Sequence, residues 1–210
     1  THYDQYFPVE KNSLNQRVLR EIGPSLNGQS SSVNALYEVK TATATATSTL
    51  VLVLEFAPRD TVLAWAKALL NNPKYVEHPV ILLTHVFLNS QSKPGPQENY
   101  AIKDANYGAA VMEKLVLPSQ NIRLVFSGHI GSPDDFNGHL GFRQDKNAGG
   151  KTVTQMTFNA QAMGGGWHGN GGDGWLRYLE FLADGKTVLV KTFSPLFAIS
   201  PSTQPLAYKR

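Results

Sequence analysis

The chain has 210 residues, enough for one domain of ordinary size or part of a larger one, and its 41% hydrophobic and 17% charged content is that of a folded chain, not a disordered one. Its formal charge of +3 comes from scattered Lys and Arg, so no basic run indicates nucleic acid. Cysteine is absent, which excludes disulfides and thiolate metal sites and leaves His, Asp, Glu or Asn to hold any metal. The uncharged run 41–54 is too short and polar to span a bilayer.

In chain order, 1–35 is punctuated by Pro8, Gly23, Pro24 and Gly28 and reads as loop with one short helix over 15–22. Between 35 and 56 the β-branched and apolar residues predict two strands, the second buried through the run 50–54. The Thr-Ala alternation over 41–47 fits a strand of small side chains. After Pro58, the apolar residues Val62, Leu63, Trp65, Ala66, Leu69 and Leu70 recur at helical spacing, with Asp60 or Thr61 as cap and Asn71-Asn72-Pro73 as stop.

A short apolar strand over 79–85 then ends in Thr84-His85 and runs into a Pro/Gly/Ser loop near 89–97. A helix over 106–115 follows, and the strand over 122–129 ends in Ser127-Gly128-His129. Strand, helix, strand with a histidine at each strand's end predicts an α/β arrangement whose ligand sites lie beyond the carboxyl ends of the strands. From Lys151 onward, alternation over 152–158, 175–181 and 187–193 predicts an antiparallel sheet, with Asp184-Gly185 as hairpin turn and a glycine-rich loop, 164–174, after the first strand.

His85 and His129 have the residue type a metal site needs, neutral imidazoles rigidly presented beside open loops; a histidine that only caps a strand end is the plainer reading. Glu55, Arg59 and Asp60 directly follow an apolar strand and read as an ion pair and helix cap, or as groups that orient a ligand from behind. Gly149-Gly150-Lys151-Thr152 has the ending of a phosphate-binding loop, but Asp145 stands where the leading glycine belongs and a strand follows. A hairpin turn accounts for it better. The 164–174 loop reads as backbone that comes close to a site, and nucleotide binding there is not indicated.

Taken together, Leu54-Glu55-Phe56-Ala57-Pro58-Arg59-Asp60 with Trp65, Leu83-Thr84-His85, Phe126-Ser127-Gly128-His129 and Gly171-Gly172-Asp173-Gly174-Trp175-Leu176-Arg177 resemble the calcineurin-like metallophosphoesterase superfamily, in its bacterial exported branch. The resemblance runs from Tyr6-Phe7-Pro8 to Phe193-Ser194-Pro195. It implies an α/β fold, part of a four-layer αββα sandwich with an antiparallel β-rich C-terminal portion, and makes residues 1–210 the C-terminal part of one such domain. His85 matches the family's lone metal-binding histidine and His129 the first histidine of its Gly-His-x-His motif, both on the same metal. The second histidine of that motif would fall at Gly131. His139 is a candidate substitute, although a solvent-exposed loop histidine is the simpler expectation, and Glu55, Arg59 and His168 are candidates near the site.

The family's Asp-x-His, Gly-Asp-x-x-Asp and Gly-Asn-His-Asp/Glu motifs precede the Tyr-Phe-Pro segment, where this sequence starts. The resemblance therefore implies a hydrolase of phosphate mono- or diesters that needs an N-terminal half, in the same or a separate chain, with this chain alone inactive. Two divalent ions, Mn, Fe, Zn or Mg, would polarise the phosphoryl oxygens and activate the attacking water. The expected partners are the phosphoester and that N-terminal half, and the expected location is secreted or periplasmic. The alternative from a different class is a secreted, non-catalytic β-rich module that holds glycan or another ligand on Trp167, Trp175 and Tyr178.

Overall fold

A computed structural model describes residues 3–26, 31–40, 48–131, 136–161 and 172–199. The Thr-Ala alternation over 41–47 and residues 162–171 of the glycine-rich segment, with Trp167 and His168, lie outside the described residues. Two short helical turns, α1 (Tyr3–Tyr6) and α2 (Asn15–Val18), lead into β1 (Leu19–Ile22). The helix expected over 15–22 thus covers only its first half, because Leu19, Glu21 and Ile22 pair antiparallel with β2 (Ala35–Val39).

The body is a seven-stranded mixed sheet in the order β1-β2-β3-β4-β5-β7-β6, where β3 is Thr49–Val53, β4 is Val80–Leu83, β5 is Ile122–Ser127, β6 is Leu140–Lys146 and β7 is Thr152–Phe158. Strands β3, β4, β5 and β7 run parallel. The β3–β4 crossover carries α3 (Asp60–Leu70), and the β4–β5 crossover carries α4 (Gly108–Val111), which continues as one π-turn, Met112–Val116. This is the expected strand-helix-strand plan.

Pleating explains which side the helices cover. Leu50, Leu52, Val80, Leu82, Ile122 and Val125 form one face and are buried with Val62, Leu63, Ala66, Leu69 and Leu70 of α3 and with Val111, Met112, Leu115 and Val116. Each Val, Leu, Ile or Met side chain among them contributes roughly 1.5–3 kcal/mol on leaving water. Val51, Val53, Ile81, Leu83, Leu124 and Phe126 face the other way and are only partly buried; in β5 a register shift after Ile122 brings Val125, not Leu124, onto the helix-covered face.

The C-terminal region departs from expectation. β7 joins the main sheet, parallel to β5 and antiparallel to β6, a strand the sequence pattern did not reveal. Only β8 (Leu176–Phe181) and β9 (Val188–Phe193) form a separate antiparallel pair, followed by α5 (Pro195–Ile199). The turn between β6 and β7 contains Gly150 at φ +67°. Asn147 closes it, its backbone N–H donating to the Lys151 carbonyl and its side-chain oxygen accepting from the Lys151 N–H. Gly149-Gly150-Lys151 is therefore a hairpin turn, as expected.

In the β8–β9 turn the Asp184 carboxylate accepts from the Thr187 hydroxyl and from the Lys186 and Thr187 N–H groups, which hold its pKa down to about 2 from 3.8. A depressed carboxylate stabilises the folded turn above its unfolded value. That contribution should fade as pH falls from 3.8 towards about 2, and Asp184→Asn should remove the acid dependence of amide exchange in the hairpin.

Gly108 marks a close approach. An added Cβ would lie 1.9 Å from the Phe87 carbonyl oxygen and 2.8 Å from the Gly95 nitrogen, two groups already bonded to each other at 2.8 Å. Gly108→Ala should cost about 2–3 kcal/mol, read from the shift of the urea midpoint at constant slope. Among the described residues no helix is long and apolar enough to cross a membrane.

Candidate functional site

Three neighbouring parallel strands end side by side, and their next residues form the site. Strand register pairs Val53 with Leu83 and Leu83 with Phe126. Beyond it, Thr84 N–H donates to Phe126 O at 3.1 Å and Gly128 N–H to His85 O at 2.9 Å. This continued pairing brings the His85 and His129 rings to 5.0 Å between centroids, with Phe56, from the end of β3, 5.5 Å from each. The two sequence-predicted histidines are therefore brought together.

His129 sits at φ +69°, a left-handed conformation that costs a non-glycine residue about 1–2 kcal/mol. Side chains hold it there: its Nε2 lies 2.7 Å from Glu98 Oε2, and its carbonyl accepts from Asn159 Nδ2 at 3.2 Å. Glu98 and Asn159 were not anticipated. A lone glutamate in a loop and an asparagine after a strand carry no periodic signal, and only the folded loops bring them to His129.

The His85 ring remains open to solvent, and its nitrogens make no hydrogen bond to a described residue. Partial desolvation lowers its pKa, His129 lowers it further and Glu98 opposes both. A neutral imidazole with a free lone pair results.

His139 corrects an expectation. It is 2% exposed, not an exposed loop side chain. It closes the 3-10 turn Phe136–His139 where β6 begins, and its carbonyl accepts from Asn159 N–H at 3.1 Å. Its buried Nδ1 has no hydrogen-bond partner among the described residues, and a Cβ added to Gly131 would lie 3.3 Å from that nitrogen.

Glu55 and Arg59 form the expected ion pair, Nε to Oε1 at 2.7 Å, with Asn34 Nδ2 donating to Glu55 Oε2 at 2.9 Å. Asp60 does not cap α3: the N-cap is Arg59, with no side-chain cap bond, and Asp60 instead meets Lys114 at 2.9 Å and Asn106 at 3.1 Å. The pull of Lys114 and Asn106 keeps its carboxyl below the usual range. Trp175 packs edge-on against Phe197, 5.4 Å between centroids, while Tyr178 is exposed.

At the opposite end of the sheet, Ser48, His78 and Glu38 form a second polar cluster. His78 Nδ1 lies 3.1 Å from the Ser48 carbonyl, which only a protonated nitrogen can satisfy, and the Ser48 hydroxyl donates to Glu38. The same Nδ1 lies 3.2 Å from the Ser48 hydroxyl oxygen, and the Glu38 carboxylate is that hydroxyl's acceptor.

Among the described residues no three His, Asp or Glu side chains are grouped to enclose a metal ion. The fold and site define a mixed α/β sheet protein with a histidine pair beyond its parallel strand ends. Compared with known proteins, no family model and no curated sequence matches the chain.

Proposed function

We propose that this chain supplies part of a two-metal phosphoesterase site, of the calcineurin-like kind its motifs resemble, and that the complete enzyme hydrolyses phosphate mono- or diesters. The observation that carries this is the convergence of His85 and His129 to 5.0 Å beyond adjacent parallel strands. The donor set fits part of one ion's shell. His85 offers a neutral, unpaired imidazole, and His129 Nε2 becomes available when Glu98 turns from hydrogen-bond acceptor to ligand or swings aside. His139, whose Nδ1 has no hydrogen-bond partner among the described residues and lies near Gly131, is the candidate to stand in for the motif's second histidine once the remaining ligands are present.

A divalent ion held there would polarise a phosphoryl oxygen and make water a nucleophile. The chain's own part is to fix the imidazoles: Phe56 wedges both rings, Asn159 and Glu98 hold His129 in its strained conformation, and the Glu55–Arg59 pair anchors the turn that carries Phe56. The half-covered apolar face of the sheet supports a second β layer packing there, as in an αββα sandwich whose other half, in the same or a separate chain, brings the remaining ligands. An exported, secreted or periplasmic location belongs to the same proposal.

The test is hydrolysis of p-nitrophenyl phosphate and bis-p-nitrophenyl phosphate with added manganese, by this chain alone and by the protein extended to include the proposed N-terminal half, in the same or a separate chain. Metal-dependent turnover is expected only from the extended protein. Its absence there overturns the reading.

A further inference from the structure

Beside the histidine pair lies a second feature that motif reading did not assign, an open cavity of about 570 Å³ behind the Phe56 ring. Tyr100, Ile102, Tyr107 and Ala109 line it, and the exposed Asp104 and Glu113 carboxylates stand at its edge. Phe56 joins the two places: its ring packs on Tyr100 at 5.0 Å and on Tyr107 at 6.2 Å, as well as on both histidines, and Tyr100 is itself 6.1 Å from His129. Tyr100 and Tyr107 thus belong both to the ring packing around the histidine pair and to the lining of the cavity.

Tyr107 is 5% exposed, yet its hydroxyl has no hydrogen-bond partner among the described residues. A buried hydroxyl without a partner forfeits hydrogen bonding that water would have supplied, and such orphans are uncommon enough to call for an explanation. Tyr100, half exposed with one edge packed on Phe56, leaves ring surface free for a planar group. The volume is within the range of small-molecule sites. Asp104 and Glu113 repel a second phosphate or a carboxylate.

We propose that this cavity is the leaving-group subsite of the phosphoesterase and selects esters of uncharged aromatic alcohols, with the Tyr107 hydroxyl donating to an acceptor on the ring and Tyr100 stacking against it. This rests on the phosphoesterase reading, and the experiment separates the two. In the extended protein with manganese, the ratio of kcat/KM for p-nitrophenyl phosphate to that for glycerol 2-phosphate is measured in the parent, Tyr100→Ala and Tyr107→Phe. In parallel, 4-nitrophenol is titrated without metal into each protein, at a pH below the phenol's own pKa so that it is uncharged, and followed by NMR.

The ratio should fall roughly fivefold in each variant, mainly through KM for the aryl ester, and saturable 4-nitrophenol binding should weaken by a similar factor. Metal-dependent hydrolysis with an unchanged ratio and unchanged 4-nitrophenol binding in both variants would overturn the subsite and leave the phosphoesterase reading standing. Weakened 4-nitrophenol binding in a protein that hydrolyses neither ester would support the cavity as an aromatic site while sinking the phosphoesterase reading. Tyr107→Phe keeps the ring and its packing, so a loss of selectivity there is a loss of the hydroxyl and not of the fold.

Discussion

Alanine at His129, in the extended protein, is expected to lower metal-dependent hydrolysis of bis-p-nitrophenyl phosphate by more than about 100-fold, and alanine at His85 should do the same. Losing a partner that merely orients a metal-binding side chain costs about 10- to 100-fold, so losing a ligand belongs above that range. The strained backbone offers a control. His129 stands at φ +69°, which glycine adopts without penalty, so His129→Gly recovers backbone strain while it loses the ring's packing on Phe56 and the Glu98 contact. Its stability should stay within about 1 kcal/mol of the parent although its activity is lost. A histidine kept only to cap a strand would predict the reverse, an active and destabilised variant, and steady-state kinetics beside a urea titration distinguishes the two.

Glu55→Ala should be the more damaging change to the fold, at about 3 kcal/mol. The carboxylate accepts from Arg59 Nε at 2.7 Å, from Arg59 Nη2 and the Arg59 N–H at 3.2 Å, and from Asn34 Nδ2 at 2.9 Å. Without it the guanidinium keeps only the Pro24 carbonyl, at 3.4 Å. Removing one partner of a well-buried pair costs about 3–5 kcal/mol; here the side chains are 14% and 20% exposed, which argues for the lower end.

Desolvation pushes the Glu55 carboxyl up, but the bonds from Arg59 and Asn34 and the charge of Arg59 together outweigh it and hold its pKa below 4.5. A depressed folded-state value means stability that is full above 4.5 and is lost as pH falls through the lowered value. Glu55→Ala should therefore flatten the acid limb of stability. Glu55→Gln keeps one acceptor oxygen but turns an NH2 towards the Arg59 or Asn34 donors and loses the charge, so it should flatten the acid limb as Glu55→Ala does and recover little of the stability. Equal acid limbs in parent and Glu55→Ala would remove Glu55 as the anchor of Phe56.

How much of this was legible beforehand depended on whether a residue's signal was local. α3 announces itself through Val62, Leu63, Ala66, Leu69 and Leu70 because helical periodicity writes its buried face into the sequence. β6 escaped notice because Gly141 interrupts its pattern and the exposed Phe142 and Gln144 alternate with the salt-bridged Arg143 and Asp145; its membership of the sheet is decided by pairing with Met156 and Gln155 of β7. For the same reason β7 looked like part of a separate antiparallel sheet: alternation shows that a strand has two faces, not which neighbour it finds.

The sequence by itself determined the α/β class, the strand-helix-strand core and the placing of His85 and His129 just past two apolar strands, since these follow from side-chain periodicity and chain order. Tertiary structure alone decided that the two rings meet across Phe56, that Glu98 and Asn159 close on His129, that His139 is buried beside Gly131, and that Tyr107, which lines a cavity, keeps a hydroxyl with no partner among the described residues. Each depends on contacts between segments distant in the chain, where distance and burial, not residue type, determine what a side chain can do.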